Sequence, residues 1–140
     1  MNDNNITIVG NVTADPELRF TNTGKAFATF TVAHNSRRRD ESGQWVDGDA
    51  TFVRCVAWQE LAENLAETLS KGDRAIVVGS LAIRKYTDKT DDTEKWITEI
   101  KVQEVGPSLK WATAAPTRTK RDKTDSPTPA PEPVDPGEPF

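Results

Sequence analysis

Thr51-Phe52-Val53-Arg54-Cys55-Val56-Ala57-Trp58 runs without a linker into Gln59-Glu60-Leu61-Ala62-Glu63-Asn64-Leu65-Ala66-Glu67-Thr68-Leu69. The first stretch is rich in β-branched and aromatic residues and predicts a strand over 51–58. In the second, Leu61, Leu65 and Leu69 recur every fourth residue with Ala62 and Ala66 beside them, which predicts a helix over 59–70 closed by Lys71-Gly72. Successive side chains on a strand point to opposite faces, so Phe52, Arg54 and Trp58 share one face, with Val56 between them, and Cys55 faces the other way. Arginine is rarely buried unpaired, so a face of rings and guanidinium groups does not suit a dry core. It suits single-stranded nucleic acid, whose bases stack on rings while cations follow the phosphates.

Further strands flank this unit. Residues 6–12 are strand-like and end near the turn signal Asp15-Pro16. Residues 26–33 alternate, with Ala28, Phe30 and Val32 inward and Thr29 and Thr31 outward. Residues 40–49 are polar, contain Gly43 and Gly48, and predict a long hairpin loop. Residues 74–86 form a fourth strand with Gly79 as a bulge or bend, and residues 95–105 a fifth, stopped by Gly106-Pro107. Three strands, a helix and two strands is the element order of an all-β fold with one helix, the five-stranded OB-fold Greek-key barrel, an order that other small α+β folds can share.

The segment 74–86 ends in Arg84-Lys85-Tyr86, a second aromatic in step with an arginine. Arg37, Arg38 and Arg39 form a run that reads either as a solvated patch or, at the expected hairpin base beside the aromatic face, as a grip on phosphates. Phe52 divides evenly between core and surface on parity alone, Trp58 caps the barrel or faces out, and Trp45 lies in the loop. Trp96 shares parity with Thr98, Ile100 and Val102 and is expected to be partly core.

The net charge is −4 and the pI about 5.1, which weighs against a nucleic-acid partner until the charges are located. Cations cluster at 37–39, 54 and 84–85, whereas Glu60, Glu63 and Glu67 share a helix face and Glu132, Asp135 and Glu138 fall at the end. A local potential steers a ligand whatever the total. Catalysis has little to stand on. His34 is the only histidine, no cysteine–histidine set could hold zinc, and Gly24-Lys25 is no phosphate loop. Neither an enzymatic activity nor a cofactor is expected. Asp88, Asp91, Asp92 and Glu94 lack the spacing of a calcium loop. The single cysteine excludes an internal disulfide, and a buried inert thiol is expected at Cys55. No apolar run spans a bilayer and the N-terminus lacks signal-peptide regions, so no membrane partner and a cytoplasmic location are expected.

Composition shifts near Ala112. Residues 113–140 hold seven of the nine prolines and almost no large apolar side chains, so a disordered Pro-rich tail is expected there. Residues 1–112 form the folded domain.

Many short motifs then occur in an order that resembles the bacterial single-stranded DNA-binding protein family. They are Asn5-Ile6-Thr7-Ile8-Val9-Gly10-Asn11-Val12, Asp15-Pro16-Glu17-Leu18-Arg19-Phe20, Ala28-Thr29-Phe30-Thr31-Val32-Ala33, Arg54-Cys55-Val56-Ala57-Trp58, Leu69-Ser70-Lys71-Gly72-Asp73 and Arg84-Lys85-Tyr86-Thr87-Asp88. The match spans roughly residues 5–105. The resemblance implies an OB-fold homotetramer, associated with the nucleoid, that wraps single-stranded DNA in replication, repair and recombination. Phe52, Trp58 and Tyr86 fall at the family's stacking positions; Arg37, Arg38, Arg54, Arg84 and Lys85 are expected, from their charge and place, to neutralise phosphates. A further family aromatic falls in the 36–39 region, where this chain has arginines. Residues 106–112 resemble a segment of one branch that clamps neighbouring subunits. The final Asp135-Pro136-Gly137-Glu138-Pro139-Phe140 resembles the family's partner-docking tip, here with diluted acids, so Asp135, Glu138, Pro139 and Phe140 are expected to recruit other proteins. The acidic pI and the missing aromatic leave a second reading, an OB-fold adaptor subunit with weak or no DNA binding.

Overall fold

The structure, a computed structural model, describes residues 4–119. The elements are β1 (Asn5–Val12), β2 (Glu17–Phe20), β3 (Ala26–Arg39), β4 (Trp45–Trp58), α1 (Gln59–Thr68), β5 (Arg74–Thr87) and β6 (Glu94–Pro107). The strands hydrogen-bond in the order β1-β5-β6-β4-β3-β2, and β1 also pairs with β3. That extra pairing closes β1, β5, β6, β4 and β3 into a five-stranded ring, the expected OB-fold barrel. The short β2 hangs on β3 outside the ring.

Closure rests on two short joints. β1 meets β3 through Asn11↔Ala33 and Val12↔Val32, and β4 meets β6 in parallel through Arg54↔Glu99, Cys55↔Ile100 and Val56↔Lys101. At the first joint Gly10 is needed for close approach, because a Cβ there would strike the Ala33 carbonyl and the Val32 side chain. His34 reinforces it: its Nδ1 lies 3.1 Å from the Val9 carbonyl oxygen.

The barrel interior is filled by alternate residues. Ala28, Phe30 and Val32 of β3 meet Cys55 and Ala57 of β4, Val12, Ala75 and Val77, and Ile100 of β6. The inward parity expected for β3 is observed. α1 closes one end with Ala62 and Leu65, and Leu69 follows just beyond it. Cys55 is fully buried, and burial pushes its thiol up to about 12.

Beyond the ring, two pairs of strands continue outward as hairpins. The β3–β4 ladder runs on to Arg39↔Trp45 and the β5–β6 ladder to Thr87↔Glu94. The loop expected over 40–49 is therefore shorter, with β4 beginning at Trp45. Its polar residues form a ladder whose two faces both meet water, a pattern without alternation. For the same reason Arg37–Arg39 sit near the hairpin tip rather than its base. The structure adds β2, whose four residues alternate polar and apolar but are all exposed, a run too short to stand out as a strand. Trp96 is 68% exposed instead of partly core. It shares parity with Ile100 but lies on the projecting part of β6, past the end of the barrel.

After β6, the Ser108 amide donates to the Arg74 carbonyl at 2.8 Å, while Leu109 and Trp111 stay exposed. Residues 113–119 have neither helix nor strand and lie along α1, where the Thr119 hydroxyl hydrogen-bonds Glu60 at 2.7 Å. The tip residues Asp135, Glu138, Pro139 and Phe140 lie outside the described residues.

Candidate nucleic-acid interface

The register carries one continuous face across four strands. Residues paired in a ladder share a face, so Phe52, Arg54, Val56 and Trp58 of β4 align with Ala33, Thr31, Thr29 and Phe27 of β3. On the other side Arg54 meets Glu99 of β6, Glu99 meets Ala82 of β5, and the same parity of β5 continues through Arg84 to Tyr86. Phe52, Trp58 and Tyr86 are 66%, 46% and 39% exposed, too open for core residues. Phe52 stands opposite the small Ala33, which leaves its ring uncovered. Trp58 leans on Phe27, with ring centroids 5.3 Å apart and planes tilted by 33°. Phe52 and Trp58 are six residues apart along one strand, about 20 Å at strand rise.

Arg54 and Arg84 occupy the middle of the face but are not free cations. Arg54 Nε lies 3.4 Å from Glu99 Oε2, and Arg84 Nε donates to Glu99 Oε1 at 3.2 Å. Glu99 itself is 8% exposed, and among the described residues no group hydrogen-bonds its buried Oε2. An acid at the centre of this face was invisible to sequence reasoning, because its burial depends on two arginines from strands far away in the chain.

Lys85 does not join Arg84 and Tyr86. It points to the opposite face of β5, where its Nζ pairs with Glu94 at 2.6 Å and sits 5.7 Å from the Trp96 ring centre. The arginine run splits in the same way. By the parity of β3, Arg37 and Arg39 fall on the face of Phe52 and Arg38 on the other. Arg37 is loosely paired with Asp47 at 3.8 Å, both exposed.

Trp45 is the residue whose place the sequence left open. Simple alternation along β4 puts it opposite Phe52. Between Asn35↔Ala50 and Arg37↔Asp47, however, β3 advances two residues while β4 advances three. The extra residue is a β-bulge, and it reverses the facing of everything beyond it. Gly48 fits there because a Cβ would come 2.7 Å from the Ser36 hydroxyl. Trp45 is thereby brought to the Phe52 side, with the Arg39 guanidinium 5.1 Å from its ring centre. A sequence signal existed in Gly48, but its effect depends on the pairing partner.

A small closed barrel whose outer face lines up exposed rings with arginines is an OB-fold of the oligonucleotide-binding kind. The chain belongs to the single-strand binding protein family, whose model matches residues 3–108. It is 49% identical over 120 residues to the single-stranded DNA-binding protein of Mycolicibacterium smegmatis, covering 85% of this chain and 72% of that one. Its likeness to the single-stranded DNA-binding protein of Corynebacterium glutamicum is 47% over 120 residues, 85% of this chain and 53% of the relative. Among solved structures, the small single-stranded DNA-binding protein from Streptomyces coelicolor superposes with a TM-score of 0.66 at 29% identity, over 78% of this chain and 97% of that chain.

Proposed function

We propose that this chain binds single-stranded DNA without sequence preference and shields it during replication, repair and recombination. The observation that carries this reading is the single face on which Phe52, Trp58 and Tyr86 stand exposed. Every base has a π-face, so stacking on such rings tolerates any sequence and contributes on the order of 1–3 kcal/mol per base. Arg37 supplies phosphate contact, and Arg54 and Arg84 contribute together as one net charge with Glu99. Arg38 and Lys85 point away from this face and would serve a strand passing around the hairpin edges.

The chain works as a homotetramer in this reading. The exposed Leu109 and Trp111 offer apolar surface for a neighbouring copy, and residues 106–112 would clamp it. Asp135, Glu138, Pro139 and Phe140 would recruit repair and recombination proteins, placing the protein at the nucleoid. No helix among the described residues is long and apolar enough to cross a membrane.

A titration with poly(dT), followed by tryptophan fluorescence at several salt concentrations, tests the reading. Deep, saturable quenching is expected. Phe52→Ala and Trp58→Ala should each weaken binding by about 1–3 kcal/mol while the barrel stays folded. The ion pairs that occupy Arg54, Arg84 and Lys85 favour one alternative, an adaptor subunit with little affinity for DNA. Absence of quenching at low salt would select it.

A further inference from the structure

Glu99 is the only buried acidic residue among those described, and it lies in the middle of a face otherwise built for a polyanion. A carboxylate taken out of water has to be compensated by charge and hydrogen bonds. Here the compensation comes from both neighbouring strands. Arg54 is its direct partner on β4. On β5 the direct partner is the small Ala82, which leaves room for Arg84 to reach in from two residues along. Each guanidinium stays about half exposed while its Nε meets the carboxylate, at 3.4 Å for Arg54 and 3.2 Å for Arg84.

We propose that Glu99 is a positioning residue of the DNA face: it holds Arg54 and Arg84 side by side over one buried carboxylate and cuts their combined charge to a single net cation. The role rests on the proposed DNA-binding reading. It has two consequences. The two long side chains are ordered before a ligand arrives, so less rotamer freedom is lost on binding. The affinity also becomes less dependent on salt than two arginines imply, because counterion release counts neutralised phosphates, at about 0.7 in logarithmic slope per phosphate for a single strand.

The test uses the full chain, poly(dT) and tryptophan fluorescence between 50 and 200 mM NaCl. Glu99→Gln keeps the shape and an acceptor oxygen but removes the charge. Its salt slope is expected to be steeper than wild type by about 0.7, so that it loses roughly two- to threefold more affinity across this range. Arg84→Gln should be shallower by a similar amount, and the double variant Arg84→Gln/Glu99→Gln, with its net charge restored, should return to the wild-type slope. A folded Glu99→Gln with the wild-type slope overturns the proposal. If Glu99→Gln does not fold, an unchanged slope in Arg84→Gln overturns it equally. These outcomes separate this role from the function it rests on: a wild-type chain that fails to bind poly(dT) removes the DNA face altogether, whereas normal wild-type binding with unmoved slopes removes only the part assigned to Glu99.

Discussion

The β3–β4 and β5–β6 hairpins each close on an aspartate that organises its own tip. Asp40 accepts hydrogen bonds from the Ser42 amide and hydroxyl at 2.9 and 2.6 Å and from the Gln44 amide at 2.9 Å. Asp88 accepts from the Thr90 amide and hydroxyl at 2.9 and 2.6 Å. Above these similar tips the charges are handled in opposite ways. On the β5–β6 hairpin nearly every cation is paired at close range: Lys85 with Glu94 at 2.6 Å, Lys95 with Asp88 at 2.7 Å, Arg84 with Glu99 at 3.2 Å. On the outer part of the β3–β4 hairpin the one ion pair among the described residues is the loose one of Arg37 with Asp47 at 3.8 Å, while Arg39 lies against Trp45; Arg54, nearer the ring, shares Glu99 with Arg84. Two arms of one design thus divide the work. In the proposed reading one offers cations to a phosphate chain. The other offers the ring of Tyr86 and keeps its cations for its own cohesion.

The sharpest way to break this comparison is to neutralise each arm in turn. Arg37→Gln/Arg38→Gln/Arg39→Gln should make the salt slope of poly(dT) binding shallower by as much as about 2, at about 0.7 per phosphate lost. Lys85→Gln/Lys95→Gln, on the paired arm, should shift it far less. Equal shifts would end the distinction. A smaller effect is expected from Trp45→Ala. If the bulge delivers this ring to the face of Phe52, the variant loses part of the fluorescence quenching and about 1–3 kcal/mol of binding. Unchanged quenching per tryptophan would leave Trp45 a partner of Arg39 alone.

The smallest effect concerns acid. The Lys95 ammonium, then the Thr90 hydroxyl and amide, hold the Asp88 carboxyl well below its usual range, at about 2. A depressed folded-state value means that the tip contact is fully present above the ordinary carboxylate range and is lost as pH falls through about 2. Carboxyl NMR titration should therefore show Asp88 still charged at pH 3. Lys95→Gln should move its midpoint upward. Asp40 is also lowered, first by the Ser42 hydroxyl, and should keep its midpoint in that variant.

The helix, the inward parity of β3, the common face of Phe52, Arg54 and Trp58, and the burial of Cys55 were legible because each rests on a local period. β2 was not, since Glu17-Leu18-Arg19-Phe20 alternates over only four residues, all exposed and held only by the edge of β3. The reach of the hairpins was hidden by the same logic: Arg37–Arg39 and residues 45–50 are strand without a buried side. Trp96 shows where parity misleads, and Lys85 where it was not followed. Parity names a face, but not whether the barrel still lies behind it; for Lys85, between Arg84 and Tyr86, it did name the opposite face, and grouping it with their phosphate contacts ignored that. Glu99 needed both the fold and the charges of two other strands before its position had a meaning.

Cys55 gives the barrel a clock of its own. Its sulfur is sealed inside the ring, beside the three-residue joint where β4 meets β6, and its thiol is held near 12. Reagents attack the thiolate, which is scarce at neutral pH and out of reach in the closed ring. The pace at which this one sulfur reacts therefore counts how often the seam comes apart. If the proposed DNA binding holds, bound DNA should slow that count with no new contact made to the cysteine.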